Sequence, residues 1–250
     1  MNIVACIKRV PATETQPKIA PDGKGLDHGA VEYMLSFYDE IALEEAIRTK
    51  EAAGGEVTAL TLGPTDAAKE VRDCLARGAD KGMILVDPEW HARDARTTAK
   101  TLAAKLTELG ADLVFCGRQA TDRDNAAVGP MLATLLGWSC VTDVVELSID
   151  GTTATAKRES ERGIESFTLS LPAVITCQKG LNEPRYAGLK GIMAAKKKPI
   201  EEVEAAVADA ASEVVEASLP PARPEGRIVG EGPDAVPALL EALRTEAKVL

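Results

Sequence analysis

The chain has 250 residues, 45% of them hydrophobic and 27% charged, the profile of a globular protein with room for a large core. Its 29 basic against 39 acidic residues give a net charge of −10, which removes the electrostatic footprint of a nucleic-acid or anionic-membrane binder. No apolar run reaches the roughly 18 residues of a membrane span, and the start, MNIVACIKRV, lacks the basic and long apolar regions of a secretory signal, so a cytoplasmic or equivalent location is expected.

Over the first two thirds, strand-like apolar runs alternate with helices at short intervals, the pattern of a mostly parallel sheet with helices on both faces. Residues 3–10 read as the first strand, and residues 18–28, centred on Pro21-Asp22-Gly23, as an exposed hairpin or turn-rich excursion. A helix follows at about 38–53, with Ser36 placed to cap it, Asp39 and Glu40 in its first turn and Gly54-Gly55 to end it. Residues 57–62 form the second strand, and Gly63-Pro64-Thr65 opens a helix to about Arg77 that Gly78 closes. A third strand at 81–86, a helix at about 93–109, a fourth strand at 111–116 and a helix at about 125–136 complete the alternation.

After Gly137 the period changes. Residues 141–149, 152–157, 164–170 and 173–177 are strand-like, joined in part by the turn dipeptides Asp150-Gly151 and Arg162-Gly163, and they read as an antiparallel extension. Residues 201–215 are rich in Ala, Glu and Val; Pro220, Pro221 and Pro224 follow, and an amphipathic helix at about 235–248 ends the chain. Such a proline-broken tail is either a flexible terminus or an arm that docks on a partner.

Cys6, Cys74, Cys116, Cys140 and Cys177 show no CxxC spacing and read as small buried hydrophobes. With His28 and His91 far apart in sequence, neither a metal-ligand spacing nor a nucleophile–base pair can be assembled, so no metal ligand and no catalytic residue is assigned.

Two segments look built for contact. Residues 117–130, GRQATDRDNAAVGP, run from the fourth strand into a helix, where open parallel sheets bind ligands and helix N-terminal N–H groups meet a phosphate. Gly117 lets a backbone approach closely, Arg118 supplies charge, Gln119 can bond a base or ribose, and Thr121 a phosphate oxygen. Asp122 and Asp124 can cap the following helix or take a ribose hydroxyl. The same pattern fits an ordinary capped turn, since neither GxGxxG nor GxxxxGK[ST] occurs. The second segment, LPAVITCQKGLNEPRYAGLKGIMAAKKKPI at 171–200, opens as a buried strand and continues as a loop punctuated by Gly180, Pro184 and Gly188. Lys196, Lys197 and Lys198 read as a solvated helix end complementing its dipole.

That segment, with Arg158-Glu159-Ser160-Glu161 before it, closely resembles the signature of the electron-transfer flavoprotein beta subunit, a family whose larger alpha subunit holds FAD. The resemblance implies a three-layer α/β fold similar to the adenine nucleotide alpha hydrolase-like superfamily, with an antiparallel extension and a C-terminal arm. Residues 1–195 would be the nucleotide-binding domain with its recognition loop, and residues 196–250 the arm that docks on the alpha subunit. It implies a structural AMP touching Cys6, Ser36, Phe37, Tyr38, Asp39 and Leu62. Around its phosphate would lie Gly117, Arg118, Gln119, Ala120, Thr121 and Asp122, followed by Arg123, Asp124, Asn125, Ala126, Ala127 and Val128. Members that split electron pairs hold a second FAD here instead. This chain keeps the Val128-Gly129-Pro130 end but carries bulky Arg123, which either obstructs a flavin or pairs with its pyrophosphate, and AMP is the favoured occupant.

Client dehydrogenases are implied to dock on Leu181, Asn182, Glu183, Pro184, Arg185, Tyr186 and Leu189, with Leu189 as the anchor of a small hot spot. The blander alternative is that Leu189 only begins a short helix at 189–195 and packs inward. By the same resemblance Tyr38 lies near the isoalloxazine edge, and the charges Arg158, Glu159, Glu161, Arg162 and Glu165 either guard a sheet edge or face the alpha subunit. The expected function is an electron carrier that makes no bonds itself, passing electrons toward a respiratory acceptor. A nucleotide hydrolase of the same fold would need a Gly/Ser-rich loop after the first strand, where this chain has Arg9-Val10-Pro11-Ala12-Thr13. A nucleotide-binding stress-type protein would leave the loop at 181–189 and the arm without a purpose.

Overall fold

A computed structural model describes residues 1–223 and 225–250; Pro224, one of the three prolines expected to break the arm, lies outside them. They form two compact units, Met1–Ala217 and Ser218–Leu250. In the first unit β1 (Asn2–Cys6), β2 (Arg9–Pro11) and β3 (Tyr33–Leu35) precede α1 (Phe37–Ala53), β4 (Glu56–Gly63), α2 (Ala68–Arg77) and β5 (Lys81–Val86). Then come α3 (Ala95–Leu109), β6 (Leu113–Gly117), α4 (Val128–Leu136), β7 (Ser139–Asp150), β8 (Thr153–Ser160) and β9 (Gly163–Ser170). The unit closes with β10 (Ala173–Cys177), α5 (Leu189–Ala195) and β11 (Ile200–Glu204).

One sheet of nine strands has the order β11-β5-β4-β1-β6-β10-β7-β8-β9. It is parallel from β11 to β7 and antiparallel from β7 to β9; residues 173–177, expected in the antiparallel extension, are instead β10, inserted between β6 and β7 and parallel to both. The sequence dictates this division. IVAC of β1, VTALTLG of β4, LVFCG of β6 and AVITC of β10 are buried nearly throughout, as strands covered on both faces must be, whereas GIESFTLS of β9 alternates with one face open. On one face α1 and α2 bring Ile41, Ile47, Val71 and Leu75 to Ile3, Ala5 and Phe115. On the other, α3 and α4 bring Leu102, Leu106 and Leu132 to Val4, Leu60 and Val114. Each such large side chain contributes about 1.5–3 kcal/mol relative to leaving it exposed. The architecture is therefore the three-layer α/β fold with an antiparallel extension.

Several expectations are corrected in detail. The first strand does not run to Val10. At Lys8 the N–H turns to Asp39 Oδ2 (2.7 Å) and the carbonyl takes the Ser36 N–H (3.0 Å), so the chain peels off the sheet and β2 pairs with β3 instead. Ser36 holds the N-cap position of α1, but its buried hydroxyl makes no cap bond. The helix expected from 125 starts at Val128, and neither Asp122 nor Asp124 caps it. Residues 200–204 belong to the sheet as β11 beside β5, and the compact unit reaches Ala217, so what can be arm begins later than residue 196.

Lys198 is not solvated: its Nζ donates to the Leu75 and Ala79 carbonyls (3.1 and 2.5 Å) at the end of α2, while Arg72 Nη1 donates to the Ala195 carbonyl (2.6 Å) at the end of α5. Each cation closes the other helix's carbonyl end.

The second unit contains α6 (Val236–Ala242) continued by a π-helical turn to Ala247, with Arg227 paired to Glu246 at 2.6 Å. Among the described residues no helix is long and apolar enough to cross a membrane.

Candidate functional site

Three adjacent parallel strands, β4, β1 and β6, end side by side at Gly63, Cys6 and Gly117. The chain leaves β1 toward β4 and returns to the other side of β1 as β6, so this is the point where strand order reverses and where open α/β sheets bind ligands. A cavity of about 1080 Å³ opens there.

Asp39 fixes its floor. Its Oδ2 accepts from the Lys8 N–H (2.7 Å) and its Oδ1 from the Gly117 N–H (3.0 Å), tying α1 to the ends of β1 and β6. Burial, against those two hydrogen bonds, pushes this carboxyl up to about 7. Gly117 is required by this contact: a Cβ there would lie 2.4 Å from Asp39 Oδ1 and 2.7 Å from the Tyr38 carbonyl carbon.

The loop from 118 to 127 is held by charge. Lys8 Nζ donates to both Asp122 oxygens at 2.7 Å, and Gln119 Nε2 to Asp124 Oδ1 at 2.8 Å. Arg118 Nε is 2.8 Å from Asp143 Oδ1, an ion pair without hydrogen-bond alignment. Arg123 spans to the opposite wall, where its guanidinium donates to the Arg93 carbonyl (2.9 Å) and to the His91 carbonyl. Asp124 and Ala126 both hold positive φ, 50° and 49°, a local strain of the kind concentrated at functional sites. The turn delivers the chain to α4, whose first N–H groups have no partner within the helix. The Gly117 and Arg118 N–H groups are taken by Asp39 and the Cys177 carbonyl, so the start of α4, with the Val128 and Gly129 N–H groups, is what is left to meet a phosphate.

Of the expected contacts, Cys6, Asp39, Leu62, Gly117, Arg118, Gln119 and Ala120 line the cavity, as do Asp122, Arg123, Asn125, Ala126, Ala127 and Val128. Ser36, Phe37, Tyr38, Thr121 and Asp124 do not line it; Ser36 is buried behind it, and Phe37 packs edge-on against Tyr38 at 5.3 Å.

The sequence did not reveal an aromatic wall formed by Tyr33, Trp90, His28 and His91, in which the two imidazoles lie 4.4 Å apart and His28 Nδ1 bonds the Tyr33 hydroxyl. Burial, reinforced by the neighbouring His91, pulls His28 below its ordinary value.

The second segment lies on the outer side of α1. Asn182 Nδ2 donates to the Ile41 carbonyl (3.1 Å) and Glu45 (2.8 Å), and Arg185 grips Glu44 and Glu51 with four side-chain hydrogen bonds of 2.6–3.0 Å. These two side chains fasten the loop to its own body. Tyr186 and Leu189 remain 94% and 78% exposed, and Ile192 and Met193 of α5 extend the apolar surface, so Leu189 does not pack inward. On the hairpin, Arg158 pairs with Glu165 at 2.8 Å and covers the Phe167 ring at 5.0 Å.

A family model described as "Electron transfer flavoprotein domain" matches residues 25–208, and so fold and site define a protein of the electron-transfer flavoprotein class. The chain is 38% identical to the electron transfer flavoprotein subunit beta of Bacillus subtilis over 259 residues, and 38% identical to that of Bradyrhizobium diazoefficiens over 253, with both partners covered in full each time. The mitochondrial subunit beta of rice, Oryza sativa subsp. indica, is 39% identical over 258 residues, again over the whole of both chains. The chain belongs to the electron transfer flavoprotein beta-subunit family, a family of electron-transport flavoproteins.

Proposed function

We propose that this chain is the beta half of a heterodimer, that it binds AMP structurally in the cavity, and that it helps to hold the FAD of an alpha subunit while docking client dehydrogenases. The observation that carries the reading is the Gly117–Val128 segment at the strand-order reversal, which lines the cavity and runs into the start of α4. AMP is favoured over a second FAD because the cations on the cavity wall are already engaged. Lys8 is paired with Asp122, Lys24 with Glu213, Arg93 with Asp87 and Arg118 with Asp143, and Arg123 is spent on two carbonyls. A monophosphate can be met by the N–H groups at the start of α4, whereas a pyrophosphate calls for cations that would have to leave those partners. The second reading, FAD in this site, is supported by the volume of about 1080 Å³, at the upper end for a small-molecule pocket.

Docking is proposed at the Leu181–Leu189 loop, with Tyr186 and Leu189 as the contacting side chains and Asn182 and Arg185 as the ties that hold them out. Such a small apolar tip suits a weak, quickly reversed contact. The second unit, with Val236, Leu239 and Leu240 exposed, is proposed as the surface that meets the alpha subunit, and the cytoplasm or its mitochondrial equivalent as the compartment. No bond-making step is assigned to the chain.

The test is chemical: acid-denature the protein purified with and without its co-expressed alpha subunit and identify the released nucleotide by chromatography. One AMP and one FAD per heterodimer is the expected result. Two FAD would replace the AMP assignment by the second reading, and no nucleotide from either preparation would overturn the site.

A further inference from the structure

Residues 205–217 contain neither helix nor strand, yet they stay against the first unit. Ala210, Ala211, Ser212, Glu213, Val214 and Ala217 line the cavity together with the strand ends at Cys6, Leu62 and Gly117. The strap has four fasteners. Asp94 Oδ2 accepts from the Ala211 and Ser212 N–H groups at 2.6 and 3.0 Å, while Asp94 Oδ1 accepts from the Thr97 N–H at 2.7 Å and caps α3. Thr97 Oγ1 lies 3.3 Å from the Asp209 carbonyl, Lys24 pairs with Glu213 at 2.7 Å, and the Ala217 N–H donates to the Gly23 carbonyl at 2.8 Å. The segment therefore crosses the cavity from the start of α3 to the excursion at 18–28.

The four are unequal. Lys24 and Glu213 are 51% and 77% exposed, and such surface pairs contribute little. The two bonds to Asp94 are charge-assisted, the stronger kind, and the one from Ala211 is short. Burial works to raise the Asp94 carboxyl, but the N–H groups of Thr97, Ala211 and Ser212 outweigh it and hold it at about 2, so it stays ionised at any ordinary pH.

We propose that residues 210–217 are the removable wall of the cavity and that Asp94 is the latch that governs exchange of whatever the cavity holds. The identity of the occupant rests on the nucleotide reading above; the latch does not. The two carboxylate oxygens have separate duties, which makes the residue testable. In Asp94→Asn the amide oxygen can keep the cap of α3, a position asparagine fills well, but an NH2 group replaces the acceptor facing Ala211 and Ser212.

The floor supplies the reporter. Cys6 and Cys116 line the cavity and are 7% and 6% exposed, whereas Cys140 lies outside it and serves as an internal control. The full chain, with its alpha subunit, is treated with N-ethylmaleimide and labelling at each cysteine is followed by mass spectrometry. Dissociation of radiolabelled AMP is measured in parallel. In Asp94→Asn, labelling of Cys6 and Cys116 should accelerate about tenfold or more, the loss of at least one charge-assisted hydrogen bond. Cys140 should be unchanged, AMP release should accelerate by a similar factor, and Glu213→Gln should stay within about twofold.

Unchanged labelling of Cys6, or equal acceleration at Cys140, would overturn the latch, as would faster labelling with unaltered AMP release. If wild-type protein neither retains AMP nor gains protection of Cys6 from it, the nucleotide reading fails, while the labelling comparison still decides the latch.

Discussion

The loops at 118–127 and 181–189 both follow the carboxyl end of a buried parallel strand, β6 and β10, which are neighbours in the sheet, and both are fastened by charged side chains. They end as opposites. The first folds back over the strand ends, with Asp122 drawn to Lys8 and Arg123 to the far wall, and encloses space. The second runs out along α1, where Glu44, Glu45 and Glu51 take Asn182 and Arg185, and turns Tyr186 and Leu189 to the outside. What separates the loop that encloses space from the loop that turns outward here is the position of the charged partner: across the strand ends in one case, on α1 in the other.

Four substitutions break or sharpen this contrast, beginning with the largest effect. Gly117→Ala forces a Cβ against the Asp39 carboxylate and the α1 backbone, and should cost about 3 kcal/mol or more in urea unfolding, with loss of the proposed nucleotide, while the outer loop keeps its amide protection. An unfolding midpoint close to wild type would mean that the floor yields more easily than its packing implies.

Asp39 gives the next effect, read through pH. Its folded value of about 7 lies above the unfolded 3.8, so between these the folded state holds the extra proton and stability falls as pH rises through the window. Over the roughly two units from pH 5 to 7 this one group should remove about 2–3 kcal/mol. Asp39→Asn should therefore flatten the decline measured by urea titration at pH 5 and pH 8; an unaltered slope would place the proton elsewhere.

Arg185→Met unties the outer loop and leaves Glu44, 6% exposed, without its cation. With the arginine side chain about a third exposed, a cost of about 1–2 kcal/mol is expected, together with faster hydrogen exchange over 181–188 and no change at 118–127. Faster exchange in both loops would show that they are not independent. The smallest stability effect belongs to Leu189→Ala: within about 0.5 kcal/mol, since the side chain is exposed. Its proposed role is in docking, so reduction by a client dehydrogenase should weaken while flavin content stays intact; unchanged electron transfer would reject that role.

The amino-acid sequence by itself determined the layers. Doubly buried strands such as LVFCG and AVITC, helices ended at Gly54 and Gly78, and the strand-to-helix run at Gly117 are local patterns, because burial on two faces, helical period and positive φ all leave marks within a few residues. β2 and β3, three residues each, and β11 with its glutamates were too short or too polar to carry such a mark. Only the tertiary structure brought His28 to His91, Lys8 to Asp122, Lys198 to the end of α2, and the strap to Asp94. Those contacts join residues distant in the chain. A hydrogen bond between them is decided by where the sheet places each donor and acceptor, and spacing along the sequence carries no trace of that.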